Sequence, residues 1–329
     1  MTGHENDRLA RPIGRPTAAR SESPHAEARG KSGQIRATKD GVPSLTPVRP
    51  SGRISGRRLE EIAGVLGQRD RQLLELVDRL RFVAASTLHV VVSDSSDAPG
   101  RSERSTRRAL GTLVGLGLLA PLPRRVGGLQ SGSSGLVVHL TNAGDRLVRQ
   151  WHSRSTRRRF AEPSTRFVQH CLDIGDALAR LTNELPTYGL TLSDWQAEPA
   201  SWRQHQRGAS VVTLKPDLYV EVVRGEDVWG YFVEVDRGSE SIPTVMRQMS
   251  AYEDYRRTGV EQHRYGAFPP VVVTLYPGPR TEPAARAEHL AAALQQDRRI
   301  PEQLVRVTVS GELTATVADL CQVDAEVQP

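Results

Sequence analysis

The sequence predicts an α+β fold made of two ordered units. Residues 59–151 have the pattern of three helices, a β-hairpin and a fourth helix. Residues 167–320 have the pattern of a helix, three strands, a helix, a strand, a helix and a strand. The continuous apolar run Pro270–Tyr276 is typical of a buried central strand, so the second unit is expected to hold a mixed sheet.

The segments outside these units differ from them in composition. Residues 1–56 are rich in Pro, Gly, Ser and Arg without apolar periodicity, which predicts a disordered tail. Residues 1–58 carry 12 Lys and Arg against 5 Asp and Glu, so this end accounts for the net charge of +6. A basic arm suits a polyanion such as nucleic acid, and a purely solubilising tail is the alternative. Residues 152–166 are expected to be a basic linker, and residues 321–329 a C-terminal tail.

Composition also limits the class of protein. No apolar run reaches about 18 residues, so no membrane span is predicted. The two cysteines, Cys171 and Cys321, lie far apart and do not have metal-ligand spacing, which favours a reduced, cytoplasmic setting.

The first unit follows from apolar periodicity and capping residues. Thr141 is expected to cap the last helix, and Ser102 the third. The predicted helices are 70–80, 84–92, 102–116 and 142–151, and the predicted strands are 118–125 and 136–140.

This element order is that of a winged helix-turn-helix, and two phrases resemble winged-helix regulators. They are Leu113–Leu119 and His139–Gly144. The resemblance implies that the third helix enters the major groove of duplex DNA while the hairpin touches the backbone. The expected DNA-binding residues are Arg104, Arg107 and Arg108 on the helix and Arg124 and Arg125 beside the wing. The alternative is that these arginines only solvate an exposed surface.

The second unit centres on three carboxylates. Lys215–Val223 and Val228–Asp236 are predicted to pair as a β-hairpin around a turn at residues 224–227. Alternation puts Glu234 and Asp236 on one face, and Asp217 can approach them from the neighbouring strand. Lys215 would share a face with Asp217. Clustered carboxylates repel one another, so they predict a hard divalent cation, Mg²⁺ or Mn²⁺.

The remaining elements of this unit surround that hairpin. The predicted helices are 167–185, 243–257 and 282–296; the predicted strands are 190–196, 270–276 and 305–309; residues 199–209 are expected to be a polar loop.

The order of acids and elements resembles the PD-(D/E)xK, restriction-endonuclease-like nucleases. Pro216-Asp217 matches the start of that signature, and Glu234-Val-Asp236 stands where (D/E)-x-K is expected. The exonuclease-like branch adds a His on the first helix and Gln-x-x-x-Tyr on a later one, matched here by His170 and by Gln248 with Tyr252.

A more extensive resemblance covers most of the two ordered units. A winged helix followed by such a domain with the phrase Phe232–Glu240 resembles the replication-relaxation family of actinobacterial plasmids and mobile elements. That resemblance implies a role in plasmid replication and DNA relaxation.

The sequence departs from the nuclease signature at Asp236, where a lysine is expected. Lys215 could supply the cation, or Arg237 or Arg247 could replace it, although Arg cannot act as a base. Otherwise the site binds metal or DNA but does not cleave the DNA.

Each motif also has a structural alternative. His170 could be a surface histidine, and Gln248 with Tyr252 a packed pair. Asp236, Arg237 and Glu240 could form surface salt bridges around a turn at Gly238.

The sequence therefore predicts a DNA-binding protein of plasmid replication or relaxation type with a metal-dependent, nuclease-like domain. Asp217, Glu234 and Asp236 would hold the metal and Lys215 would orient the water, with His170, Gln248 and Tyr252 in support. The expected partners are double-stranded DNA and a relaxase or replication initiator. The alternative is a non-catalytic replication-accessory or regulatory protein with a degenerate nuclease fold.

Overall fold

The computed structural model describes residues 54–92, 101–122, 135–156, 163–278 and 282–326. Most of the predicted basic tail lies outside these residues. So do the two wing arginines, Arg124 and Arg125, and part of the predicted linker.

The N-terminal unit contains five helices and a small antiparallel sheet among its described residues. The helices are α1 (Gly56–Val65), α2 (Gln68–Leu80), α3 (Ala85–Val92), α4 (Arg101–Gly115) and α5 (Asn142–Trp151). The strands are β1 (Val83–Ala84), β2 (Leu119–Pro121) and β3 (Val137–Leu140), in the order β1-β3-β2. The predicted order of helices, hairpin and helix is found, with α1 and β1 added to it.

Local chemistry explains where these elements begin and which side they bury. The hydroxyl of Thr141 accepts the amides of Ala143 and Gly144, so it caps α5 as predicted. On α4, Leu110 and Leu113 are buried, whereas the three predicted DNA-contacting arginines are on the exposed side.

The C-terminal unit is built on a five-stranded mixed sheet. Its strands and those of a separate hairpin are β4 (Thr191–Ala197), β5 (Arg203–Arg207), β6 (Ser210–Leu214), β7 (Leu218–Arg224), β8 (Asp227–Asp236), β9 (Val271–Leu275) and β10 (Val305–Val309). The sheet order is β10-β9-β8-β7-β4, with β8, β9 and β10 parallel and the other pairs antiparallel. The helices are α6 (Thr165–Glu184), α7 (Ile242–Arg256), α8 (Val260–Tyr265), α9 (Pro283–Gln296) and α10 (Leu313–Glu326). The predicted mixed sheet is confirmed.

The predicted hairpin of β7 and β8 forms, but its first strand starts later than expected. The register runs from Leu218 opposite Val233 to Arg224 opposite Asp227. Pro216 has no amide N–H to donate, and its carbonyl accepts the Ser201 hydroxyl at 2.5 Å instead of a ladder bond. The prediction that Lys215 lies on this strand, sharing a face with Asp217, is therefore wrong.

In the C-terminal unit, the hairpin of β5 and β6 and the helices α8 and α10 were absent from the prediction. The expected loop at residues 199–209 contains β5 and leads through Gly208, at φ +59°, into β6. β5 consists of polar residues only, because its hairpin lies outside the main sheet and does not need an apolar face. The apolar alternation that would predict a strand is therefore missing. The C-terminal helix α10 continues to Glu326, and its Cys321 is fully buried, so residues 321–326 are helical and not part of a tail as predicted.

The two faces of the main sheet bury separate apolar clusters. Tyr219 and Phe232 pack with α7 and α9 on one face. On the other face, Leu218 and Val233 belong to a cluster that includes α6 and α10 and continues into the N-terminal unit.

Direct contacts also join the two units. At Gly175 on α6, an added Cβ would lie 3.3 Å from the Thr87 methyl on α3, so these helices pack closely. The Arg79 guanidinium stacks 3.4 Å from the centroid of the Trp195 ring. The described parts of both units therefore share one continuous core. No helix among the described residues combines the length and apolarity needed to cross a bilayer.

We predict that Gly144→Ala destabilises the N-terminal unit. An added Cβ would lie 2.2 Å from the Leu118 carbonyl oxygen, and overpacking of this kind costs about 1–3 kcal/mol. Gly64→Ala is the matched control, because no atom lies within 4 Å of its added Cβ. Urea denaturation of both variants checks the prediction. Equal midpoints would contradict the close approach of α5 to residue 118.

Candidate functional site

The candidate site lies where β8 ends and the chain enters β7. Glu234 and Asp236 occupy the last residues of β8, and Asp217 immediately precedes β7. The Asp217 carboxylate accepts the Val235 amide at 2.8 Å, which ties it to β8. The structure thus brings Asp217 beside Glu234.

Glu234 is the most enclosed of the three acids, with 5% of its surface exposed. Gln248 donates its side-chain amide to one carboxyl oxygen at 2.7 Å, and the Tyr252 hydroxyl donates to the other. These two residues are four apart on α7, so they reach the same carboxyl. Burial, and next the charge of Asp217, raise the pKa of Glu234 well above its usual range. The environment therefore favours a protonated Glu234.

His170 meets Asp217 from the other side. Its Nε2 lies 3.0 Å from the Asp217 carboxylate, and its side chain is 28% exposed. Burial acts to lower the pKa of His170, but the hydrogen bond to Asp217 and the charges of Asp217 and Glu198 outweigh it and raise that pKa. A protonated His170 is thus favoured beside a negative Asp217.

Asp236 is held by an arginine that the sequence analysis did not select. Arg286 on α9 donates from Nε to one Asp236 oxygen at 2.8 Å, and its Nη2 lies 2.6 Å from the same oxygen in an ion pair. The same Nη2 also donates to the Glu240 carbonyl at 2.8 Å. The other Asp236 oxygen accepts the Gly238 amide at 2.7 Å. Arg286 therefore fixes both the carboxylate and the turn that follows β8.

The rest of the phrase Phe232–Glu240 forms similar links. Arg237 pairs with buried Asp173 of α6 at 2.5 Å, and Gly238 takes φ +68° in the turn. The Glu240 side chain lies 3.7 Å from exposed Arg166 of α6. The structural alternative of ion pairs around Gly238 therefore describes this segment well, although the partners come from α6 and α9.

The candidate replacements for the signature lysine lie elsewhere. The Lys215 ammonium is 4.9 Å from the centroid of the Trp202 ring. Arg247 donates to the Thr244 hydroxyl at 2.9 Å, and Arg237 pairs with Asp173. Arg286 is the cation in contact with Asp236.

The fit of a divalent ion follows from these contacts. All six carboxylate oxygens of Asp217, Glu234 and Asp236 accept a protein hydrogen bond. Within the described ranges, no group of three or more His, Cys, Asp or Glu side chains is arranged to hold a metal ion. Asp236 does not fit as a ligand, because its negative charge is compensated by Arg286. Mg²⁺ or Mn²⁺ at Asp217 and Glu234 stays a prediction.

The residues missed by sequence reasoning did leave a signal. Arg286 precedes buried Leu290 by four residues in an Ala-rich helix, which places it on the inner side of α9. Asp173 stands one turn after Gln169, which donates to it at 3.2 Å. A charged residue at an inward helical position requires a partner.

A second cluster of candidate residues lies on α4. Arg104, Arg107 and Arg108 are exposed and follow one another at helical spacing, while Thr106 and Leu110 are buried on the opposite side. Arg107 pairs with Glu103 of the same helix at 2.6 Å. These arginines remain accessible to a polyanion.

These elements define an α+β protein that joins a helical unit with a small antiparallel sheet to a mixed-sheet unit with a carboxylate cluster. The chain belongs to the replication-relaxation family, whose sequence profile matches residues 74–271, more than half of its length. The family expected from the phrase Phe232–Glu240 is confirmed.

Two solved structures resemble the chain at low sequence identity. Protein VC1899 from Vibrio cholerae has a TM-score of 0.30 and 13% identity, over 79% of this chain and 57% of that protein. The restriction endonuclease FokI has a TM-score of 0.23 and 11% identity, over 78% of this chain and 44% of FokI. The chain thus spans less than two thirds of either protein. No protein of curated function matches it.

We predict that Arg286→Met destabilises the protein by about 3 kcal/mol, because it leaves Asp236 largely buried without its cation. Combining it with Asp236→Asn should recover part of the loss, since the uncompensated charge is then gone. Arg299→Met, which breaks an exposed ion pair, is the control and should change little. Chemical denaturation measures the free energy of unfolding of the wild type, the two Arg286 variants and Arg299→Met. Equal stability of the two Arg286 variants would exclude an uncompensated charge as the cause.

Proposed function

We propose that the protein binds duplex DNA through α4 and acts as an accessory factor in replication or relaxation of that DNA without cutting it itself. The observation that carries the proposal is the exposed arginine row on a helix whose other side is buried in the core. Guanidinium groups at this spacing can contact successive phosphates or guanine edges in the major groove.

The non-hydrolytic part of the proposal rests on the cations around the carboxylates. Hydrolysis of a phosphodiester needs a polarised water and a positive charge close to the scissile phosphate. Lys215 contacts the Trp202 ring, and Arg286 is committed to Asp236 and the Glu240 carbonyl. An arginine also keeps its proton and cannot act as a base. The cluster is therefore better suited to holding the β8 end in shape.

A metal-dependent nuclease is the second candidate, and one observation favours it. Asp217 and Glu234 lie side by side, and two adjacent carboxylates need either a proton or a cation between them. Their oxygens have the chemistry that Mg²⁺ prefers, and His170, Gln248 and Tyr252 would orient them. In that case the bound ion would supply charge to the phosphate.

We predict that replacing Arg104, Arg107 and Arg108 with Ala weakens binding to a labelled DNA duplex by at least about tenfold at 0.1 M salt. Loss of three phosphate contacts should also flatten the plot of log affinity against log salt by about 3. Fluorescence anisotropy over a salt series measures both effects.

The matched control replaces three exposed arginines of the C-terminal unit, Arg207, Arg257 and Arg299. It removes the same formal charge and should leave most of the affinity intact. If both triple variants lose affinity equally, binding depends on overall charge, and α4 has no special role.

We predict that supercoiled plasmid stays intact when incubated with the wild-type protein and Mg²⁺ or Mn²⁺, as judged by agarose gel. Glu234→Gln, which keeps the size of the side chain, serves as the comparison. Nicking by the wild type that Glu234→Gln abolishes would establish the second candidate. Nicking that persists equally in both proteins would identify a contaminating nuclease.

A further inference from the structure

A turn that the carboxylate site does not use lies directly against the segment carrying Asp217. The Glu198 amide donates to the Asp217 carbonyl at 3.1 Å, and the Ser201 hydroxyl donates to the Pro216 carbonyl at 2.5 Å. Residues 198–202 are therefore attached to the backbone on the rim of the site. The next side chain along this turn is Trp202.

Trp202 and Lys215 form a cation–aromatic pair on this rim. The ammonium lies 4.9 Å from the indole centroid, the lysine is exposed, and the indole is partly exposed. The indole Nε1 is buried and has no hydrogen-bond partner among the described residues, so no hydrogen bond fixes this edge of the ring. Lys215 is also the sole lysine beyond residue 39.

The turn is held rigidly by Arg203. Its guanidinium donates to the Ser201 carbonyl at 2.8 Å and to the Glu261 carboxylate at 3.0 Å, and it stacks 4.9 Å from the Tyr219 ring centroid. Because Glu261 and Tyr219 are buried, the base of the turn is fixed in the core. An aromatic ring presented in this way loses little freedom when a ligand stacks on it.

We propose that Trp202 and Lys215 form a subsite for an unpaired DNA strand at the edge of the carboxylate cluster. A base stacks on the indole, and the flexible lysine moves from the ring to a neighbouring phosphate. Stacking on an aromatic ring tolerates any base, so the subsite recognises single-stranded character and not sequence. This inference rests on the proposed DNA binding and adds the kind of strand that reaches the C-terminal unit.

The experiment titrates the full chain with a fluorescein-labelled, single-stranded oligothymidine. Trp202→Leu should weaken binding about tenfold, whereas Trp202→Phe, which keeps a stacking ring, should remain within about threefold of the wild type. Lys215→Ala should also weaken binding and reduce the salt slope by about 0.7, the value for one phosphate contact on a single strand.

Trp151→Leu is the matched control, because Trp151 forms a similar pair with Arg71 at 5.5 Å in the N-terminal unit. It should leave oligothymidine affinity unchanged. Affinity for duplex DNA is measured in parallel and should be the same for Trp202→Leu and the wild type, since α4 supplies that contact. Thermal melting by circular dichroism tests whether each variant is folded.

Two results would overturn the subsite. One is wild-type affinity of Trp202→Leu and Lys215→Ala for oligothymidine. The other is a Trp202→Phe loss as large as that of Trp202→Leu, which would indicate a packing role. If Trp202→Leu does not fold, the exposed Lys215→Ala variant decides alone. Failure of the wild type to bind duplex DNA would instead refute the proposed function. Because duplex and single-strand affinities are measured separately, failure of the subsite and failure of the proposed function can be told apart.

Discussion

Compensation of negative charge at the end of β8 is the constraint on which the surrounding structure depends. Two acids, Glu234 and Asp236, stand there in a largely buried position, and a third, Asp217, adjoins them. Burying an uncompensated carboxylate is costly, so each acid must be neutralised or paired. Glu234 gains two hydrogen-bond donors and an environment that favours its protonated form, whereas Asp236 has a guanidinium. The two largely buried carboxyl groups of one strand are thus stabilised differently, Glu234 by protonation and hydrogen bonds and Asp236 by an ion pair.

This compensation also connects elements that are far apart in the sequence. Partners come from α6, α7 and α9, so the end of β8 links helices on both faces of the sheet. Helix α6 has a second role, because Gly175 lets it pack closely on α3 of the N-terminal unit. The helix that contributes His170 to the carboxylates is therefore also the helix that packs on the N-terminal unit.

Much of this site follows from spacing within the sequence. Alternation on β8 and the hairpin pattern predict that Asp217 and Glu234 meet. Gln248 and Tyr252 were selected through the resemblance to exonuclease-like nucleases, and in the structure both reach the Glu234 carboxyl from α7. Arg286 could not be assigned in this way, because its partner depends on how α9 crosses the sheet. Lys215 was placed on β7 wrongly, because Pro216 delays the start of that strand to Leu218. The hairpin of β5 and β6 was missed because β5 consists entirely of polar residues.

The positions of Arg286 and Lys215 bear on the choice between the two proposed functions, DNA binding and DNA cleavage. A lysine beside the carboxylates would leave a mobile, deprotonatable group near a bound phosphate. Here the guanidinium at Asp236 is also fixed by the Glu240 carbonyl in the turn, and an arginine side chain keeps its proton. The single lysine of the unit instead lies against the Trp202 ring, 4.9 Å from its centroid. The guanidinium at the carboxylates is thus engaged with protein groups, whereas the lysine at the rim is the cation that the proposed strand subsite uses.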